Sequence, residues 1–242
     1  LLDAISFVVS ALFLGAIPQP EAAPAEAAAS AGVWAEIKAG LRFTINQPTL
    51  RALMGAMATW RFFGGFYAAL YGLYVLRVIG LSPALLGIIV GMGGIGSLLG
   101  ALAADRLSGR WGLGRAIIGA FLWSSVIGLL VPLAGFAGSP VTAVALLLAS
   151  QLLGDIGLTI YLINTLSVRQ AITPDEKLGR VNATYGFVTG VLGTLGIFVG
   201  GLIGQAVGVR GAVVVAAVGG VTAVLWLIFS PVRTMVKLGI GD

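Results

Sequence analysis

The sequence predicts an all-α polytopic membrane protein with six full transmembrane helices and one partial helix, and three observations predict it. Of 242 residues, 58% are hydrophobic and only 10% are charged, whereas a soluble domain carries about a quarter charged residues. The apolar residues gather in runs long enough to cross a hydrocarbon core, which takes a helix of roughly 20 residues. Short charged turns separate the runs, and the basic residues of alternate turns fall on one side.

Composition narrows the chemistry further. The 37 glycines suit closely packed membrane helices better than a soluble bundle, where each interior glycine costs about 1 kcal/mol. Cysteine and histidine are absent, which excludes disulfides, thiolate metal sites and the usual near-neutral acid–base group. No metal or cofactor is expected. The net charge of +5 is not read as a nucleic-acid footprint, because in a membrane protein the side on which positive charge lies matters first.

Residues 1–17 form an apolar run shorter than a span. They lack the basic start and small-residue cleavage site of a signal peptide. They are expected to be a partial transmembrane helix, the tail of a span whose beginning lies upstream. Residues 18–49 read as a linker, Pro/Ala/Glu-rich to Ala31 and then amphipathic. Trp34, Ile37, Leu41 and Ile45 share one face of that helix, which suits either a membrane surface or the protein's own basic side. Six spans follow, at roughly 50–77, 82–104, 115–137, 141–168, 181–204 and 210–230, and residues 231–242 form a tail.

The loops sort by charge. Lys38, Arg42, Arg51, Arg106, Arg110, Arg115, Arg169, Lys177, Arg180, Arg233 and Lys237 fall on one side. Arg77 and Arg210 fall on the other, and Arg61 lies within a span, which accounts for all 14 basic residues. By the positive-inside rule the first side is cytoplasmic. Residues 18–49, 105–115, 169–180 and the C-terminus are therefore expected in the cytoplasm, with the spans in the plasma membrane.

The spans also divide into two sets of three. Each first member holds an intramembrane charge, Arg61 or Asp155. Each second member is rich in glycine, and each third member is apolar enough to suit a lipid-facing position. Three spans per unit inserts the second unit upside down, and inverted repeats of this kind mark transporters. The stretch from Gly87 to Arg115 condenses the logic. Gly87/Gly91 and Gly96/Gly100 have the small-x-x-x-small spacing that lets helix backbones touch. Asp105-Arg106-Leu-Ser-Gly109-Arg110 then reads as a tight basic loop before the next span.

Asp3, Arg61 and Asp155 are the charges placed deep in spans. Such a charge costs a few kcal/mol unless paired or hydrated, so each is a functional candidate. Equal depths along their spans suggest that Arg61 and Asp155 pair or share a cavity. Trp60, Phe63, Tyr67 and Tyr71 are candidates to line an amphipathic pocket. No nucleophile–base pairing and no phosphate-binding G-x-x-x-x-G-K-[ST] run is found, so neither an enzyme nor an ATP-driven pump is expected.

The loop Asp105-Arg106-Leu-Ser-Gly109-Arg110 resembles the cytoplasmic signature G-x-x-x-D-R-x-G-R-[RK] of the major facilitator superfamily. Ala101 replaces its first glycine, one residue is inserted before Gly109, and Trp111 replaces the last basic residue. Ala35–Phe43 with Pro48–Arg51 is similar to the loop entering helix seven of that superfamily. Ile160–Gln170, Thr173-Pro174 and Leu178–Ala183 are similar to the loop between helices ten and eleven, and Val209–Gly211 and Ser230–Arg233 complete the likeness. The branch resembled contains macrolide-efflux proteins and the enterobactin exporter.

The resemblance implies the C-terminal half of such a transporter, from the end of helix six to helix twelve, with an N-terminal half as its partner. It implies a secondary active exporter of drug-like or siderophore-like small molecules, an antiporter driven by protons, working by alternating access in the lipid bilayer. Helices seven and ten would flank the cavity, with Gln151, Thr159, Tyr161 and Asn164 joining Trp60 and Tyr67 there. Asp105, Arg106, Gly109 and Arg110 would latch the cytoplasmic side closed. The rivals are an uptake symporter of the same fold, a channel, or a non-transporting scaffold.

Overall fold

The computed structural model describes residues 2–16 and 32–236. Residues 17–31, Lys237 and the side chains of Asp3 and Trp34 lie outside the described residues. Among the described residues the chain is helical, without strands. Helix α1 spans Leu2–Gly15, and its described side chains from Ile5 onward are exposed.

The main body begins at Ile37, within α2 (Gly32–Asn46). Gly40 and Thr44 are the buried face of this part. A side chain at Gly40 would strike Thr184 and the Arg180 carbonyl, and the Lys177 ammonium lies 4.7 Å from the Phe43 ring centre. The stripe expected to seat this helix is offset from the buried one, since Ile45 is exposed. The helix rests instead on small residues that let backbones approach.

Next come α3 (Pro48–Leu73), which runs on through a π-helical turn at Tyr74–Val78, and α4 (Pro83–Trp111). Then follow α5 (Leu113–Ile127), the short α6 (Leu130–Ala134) and α7 (Pro140–Ile172). Helix α8 (Asp175–Thr222) is bent at Gly208, and α9 (Leu225–Ile228) continues it. A 3-10 turn at Pro231–Thr234 closes the described chain. Pro83–Trp111, Leu113–Ala134, Pro140–Ile172 and Asp175–Ile228 are long and apolar enough to cross a membrane. The last covers 54 residues and folds back at Gly208, giving two crossings. With α3, whose arginines lower its hydropathy, there are six candidate spans among the described residues.

The signature stretch departs from the expected loop. Helix α4 continues to Trp111, so Asp105, Arg106, Gly109 and Arg110 occupy its last two turns. The connection is Gly112 alone, at φ 82°, ψ 150°, a region open essentially to glycine. Gly208 has almost the same conformation, φ 79°, ψ 161°. Gly112-Leu-Gly-Arg-Ala-Ile-Ile118 enters the third span and Gly208-Val-Arg-Gly-Ala-Val-Val214 enters the sixth. Ala116, Ile117 and Ala120 of the one are buried in register with Ala212, Val213 and Ala216 of the other.

The same register appears in the second and fifth spans. Gly93, Gly96 and Gly100 of α4 recur as Gly193, Gly196 and Gly200 of α8. Side chains at Gly196 and Gly200 would collide with the backbones of Phe62 and Phe66 on α3. At Gly96 and Gly100 they would collide with the carbonyls of Leu152 and Ile156 on α7. The first span thus packs on the fifth and the fourth on the second. The fold is two inverted three-helix repeats that exchange their leading helices. Gly96/Gly100 meet a neighbouring backbone as the spacing predicts, whereas Gly87 and Gly91 face open space.

Two apolar cores stack along the bundle. One, toward the basic side, joins residues such as Leu53, Ile117, Phe121, Tyr161 and Leu227. The other, toward the Arg77 and Arg210 side, joins Tyr74, Ile89, Val131, Leu147 and Val213.

Candidate functional site

Between these cores lies a cavity of about 570 Å³, within the range of ligand sites. Helix α3 contributes Trp60, Tyr67 and Tyr71, and α7 contributes Gln151 and Asp155. Small residues give the volume, among them Gly64 on α3, Gly154 on α7 and Gly220 near the end of α8. The two first-span helices line it with equivalent positions, since Trp60 and Gly64 correspond to Ser150 and Gly154 in the repeat register.

Asp155 is held against a glycine. A side chain at Gly93 would collide with its carboxylate and come within 3.3 Å of the Gln151 amide nitrogen. Glycine at position 93 therefore makes the room that a carboxylate needs between α4 and α7. Asp155 is the one charged residue in the lining, which includes no lysine or arginine.

Among the described residues, the buried oxygens of Tyr67, Tyr71 and Ser125 have no hydrogen-bond partner, although such groups are satisfied in the large majority of cases. The Tyr67 and Tyr71 rings meet edge to face, 6.4 Å apart. One turn further on, the Tyr74 hydroxyl donates to the Pro132 carbonyl at 2.9 Å, with the Val131 carbonyl at 3.1 Å. That contact ties the end of the first span to α6.

The remaining sequence candidates lie elsewhere. Arg61 is exposed, because one residue beyond Trp60 turns it about 100° around the helix and out of the lining. Equal depth does not bring it to Asp155. Tyr161 is fully buried and stacks on Phe121 with ring centres 4.2 Å apart. The Asn164 side chain donates to the Ile160 carbonyl at 2.8 Å, within its own helix. Thr159 faces Gly100 in the α4–α7 seam. Asp105, Arg106, Gly109 and Arg110 are exposed at the end of α4, and the Asp3 side chain lies outside the described residues.

Sequence reasoning missed the third and sixth spans. Both were expected to face lipid, yet Ser124 and Ser125 of α5 and Gly128 just beyond it line the cavity, as do Ala216, Ala217 and Gly220 of α8. Leu122, Trp123 and Val126 are exposed on the other face of α5. The signal was present in Ser124-Ser125, two adjacent hydroxyls in an otherwise apolar run. Trp123 fixes the helix by donating its indole N–H to the Leu153 carbonyl at 2.9 Å. In the other unit the Trp226 indole donates to the Thr59 hydroxyl at 3.1 Å, so each outer span is pinned to the first helix of the opposite unit.

Comparison with known proteins agrees with this architecture. The profile of the Major Facilitator Superfamily matches residues 61–239, about three quarters of the chain. No curated protein matches it. With six spans, exchanged inverted repeats and a cavity at their centre, the chain belongs to the major facilitator superfamily, a class of membrane transporters.

Proposed function

We propose that this chain is the C-terminal half of a proton-driven secondary transporter that exports a drug-like small molecule across the plasma membrane by alternating access. The observation that carries the reading is Asp155, a carboxylate in a cavity whose lining supplies no counter-charge. A carboxylate removed from water takes up a proton more readily, and a nearby positive charge reverses that preference. Asp155 would bind the proton on one face of the cycle and release it on the other. The Asp105–Arg110 cluster would act as a latch on the cytoplasmic side, and Arg61 would face the N-terminal half.

The test is solute flux in proteoliposomes with an imposed proton gradient. The full-length protein should give saturable, gradient-driven flux, and this chain alone should give none. Asp155→Asn should abolish gradient-driven flux while solute exchange at equal pH persists. Normal uphill transport by Asp155→Asn would remove Asp155 from coupling. Solute accumulation along the inward proton gradient would favour uptake over export.

A further inference from the structure

We infer that the groove between the start of the first span and the end of the sixth holds one anionic phospholipid, with its phosphate on Arg51 and an acyl chain along Trp226. The inference is independent of the central cavity and of what the chain transports.

Two helix ends make the groove. Helix α3 supplies Arg51 and Thr59, and the chain around α9 supplies Thr222, Leu225, Trp226 and Phe229, enclosing about 520 Å³. A side chain at Gly55 would strike the Trp226 ring, so glycine lets the indole lie against α3 while about half of it stays exposed. Leu225 and Phe229 are exposed beside it.

The two ends of the groove lie at different depths. Arg51 stands near the start of α3, at the basic end of the bundle. Thr59 lies further along the same helix, deeper by about 12 Å at 1.5 Å rise per residue. A hydrocarbon core of about 30 Å gives each leaflet about 15 Å, so the groove crosses most of one leaflet.

Polarity divides along the same axis. Among the described residues Arg51 is the one charged side chain in the lining, and no carboxylate joins it. It is exposed and donates one long bond to the Ile45 carbonyl at 3.4 Å. A guanidinium carries five N–H groups in a fork that fits phosphate. The hydroxyls of the lining already have partners inside the protein. Thr59 accepts from the Trp226 indole at 3.1 Å, Thr222 donates to the Gly219 carbonyl at 2.6 Å, and Ser230 donates to the Leu227 carbonyl at 2.8 Å. An occupant therefore meets one cationic end and apolar walls.

A soluble anion would answer Arg51 and leave the walls uncovered. A neutral hydrophobe would cover the walls and leave the guanidinium. A phosphodiester carrying acyl chains meets both at once. Arg233, exposed just past Pro231 of the lining, adds positive charge at the same end. Basic pockets between membrane helices on the cytoplasmic side bind anionic headgroups by this logic.

The experiment reads contact between lipid and Trp226, since bromine on an acyl chain quenches indole emission. Full-length protein is reconstituted in equal mixtures of phosphatidylglycerol and phosphatidylcholine with matched chains, and one of the two is brominated at a time. Quenching should be greater when phosphatidylglycerol carries the bromine, and Trp226→Phe should remove that excess. Arg51→Gln should lower the preference for phosphatidylglycerol about fivefold, as for one basic group near a membrane surface, and Arg51→Lys should restore most of it. Excess inorganic phosphate should leave the preference unchanged.

Equal quenching by the two brominated lipids, or an excess that survives Trp226→Phe, would overturn the inference even if Arg51→Gln did not fold. A preference unchanged in a folded Arg51→Gln would also overturn it. Trp226 emission that neither lipid quenches would put another part of the protein in the groove and exclude the lipid. Loss of the preference in phosphate would make Arg51 a site for soluble anions instead. Solute flux enters none of these measurements, so failure of the transport reading leaves them unchanged.

Discussion

The two glycine seams of the bundle share a register and differ in what they enclose. In the α3–α8 seam, Gly196 and Gly200 meet the backbones of Phe62 and Phe66, and Gly65 faces Gly193 and Gly196 so closely that no side chain fits. In the α4–α7 seam, Gly96 and Gly100 meet Leu152 and Ile156 in the same way, but the position equivalent to Gly65 is Asp155. At this position one seam has glycine on both helices, and in the other a carboxylate lies over Gly93. The repeat builds the scaffold, and departures from it such as Asp155 line the cavity.

Breaking the shared part should have the largest effect. Gly196→Leu and Gly96→Leu are each expected to eliminate the folded protein, read as loss of the monodisperse peak on size-exclusion chromatography after detergent extraction. A helix cannot retreat from a side chain directed at a neighbouring backbone without losing the seam. Survival of one variant alone would show that the two seams are not equivalent in strength.

The paired turns offer a milder and sharper comparison. Gly112→Ala and Gly208→Ala each force an alanine into a region essentially reserved for glycine, at a cost of about 1–3 kcal/mol. Two near-equal drops in unfolding temperature are expected, because the conformations match within a few degrees at φ. An unequal pair would mean that one turn relaxes where the other is held. Leu113 and Gly114 donate backbone N–H groups to the Val236 and Met235 carbonyls at 3.2 and 2.8 Å. If either turn is held, it is therefore the one at Gly112.

Two smaller effects probe the charged positions outside the cavity. Arg110→Ala in the full-length protein should raise cysteine labelling from the cytoplasmic side if the end of α4 latches that side closed. Unchanged labelling would reduce Arg110 to a determinant of topology. Arg61→Gln, which removes an exposed charge from within a span, should not lower the unfolding temperature of this chain in detergent, since an intramembrane charge is costly to keep. A loss would place Arg61 in a contact that its exposure does not reveal.

How far the sequence was legible follows from which interactions are local. Span positions and the charge asymmetry could be read directly, because both depend on apolar run length and on where lysine and arginine stop. The glycine stripes were visible, but the residues in contact were only partly so. Gly87 and Gly91 have the spacing of a contact and face open space, since spacing defines a face of α4 and not which neighbour covers it. Asp155 was legible because a carboxylate in an apolar run is too costly to keep as mere packing. Arg61 was misplaced beside it because depth along a helix says nothing of azimuth. Ser124 and Ser125 were passed over because hydroxyls alter mean hydropathy too little to separate a cavity wall from a lipid face.

The exchange of leading helices also sets a timetable for biogenesis. The first span finds its seam on α8, and the backbone that covers Phe62 is that of Gly196, which is made long after α3 has left the ribosome. At roughly 5–20 residues per second the interval is on the order of ten seconds. Throughout it the first three spans sit in the bilayer without the partner that completes them. Their contacts with one another are few beside those each makes with the later unit, so the first unit stays incomplete until the second arrives. Slowing synthesis through α7 and α8 is therefore expected to lower the folded yield of helices already inserted.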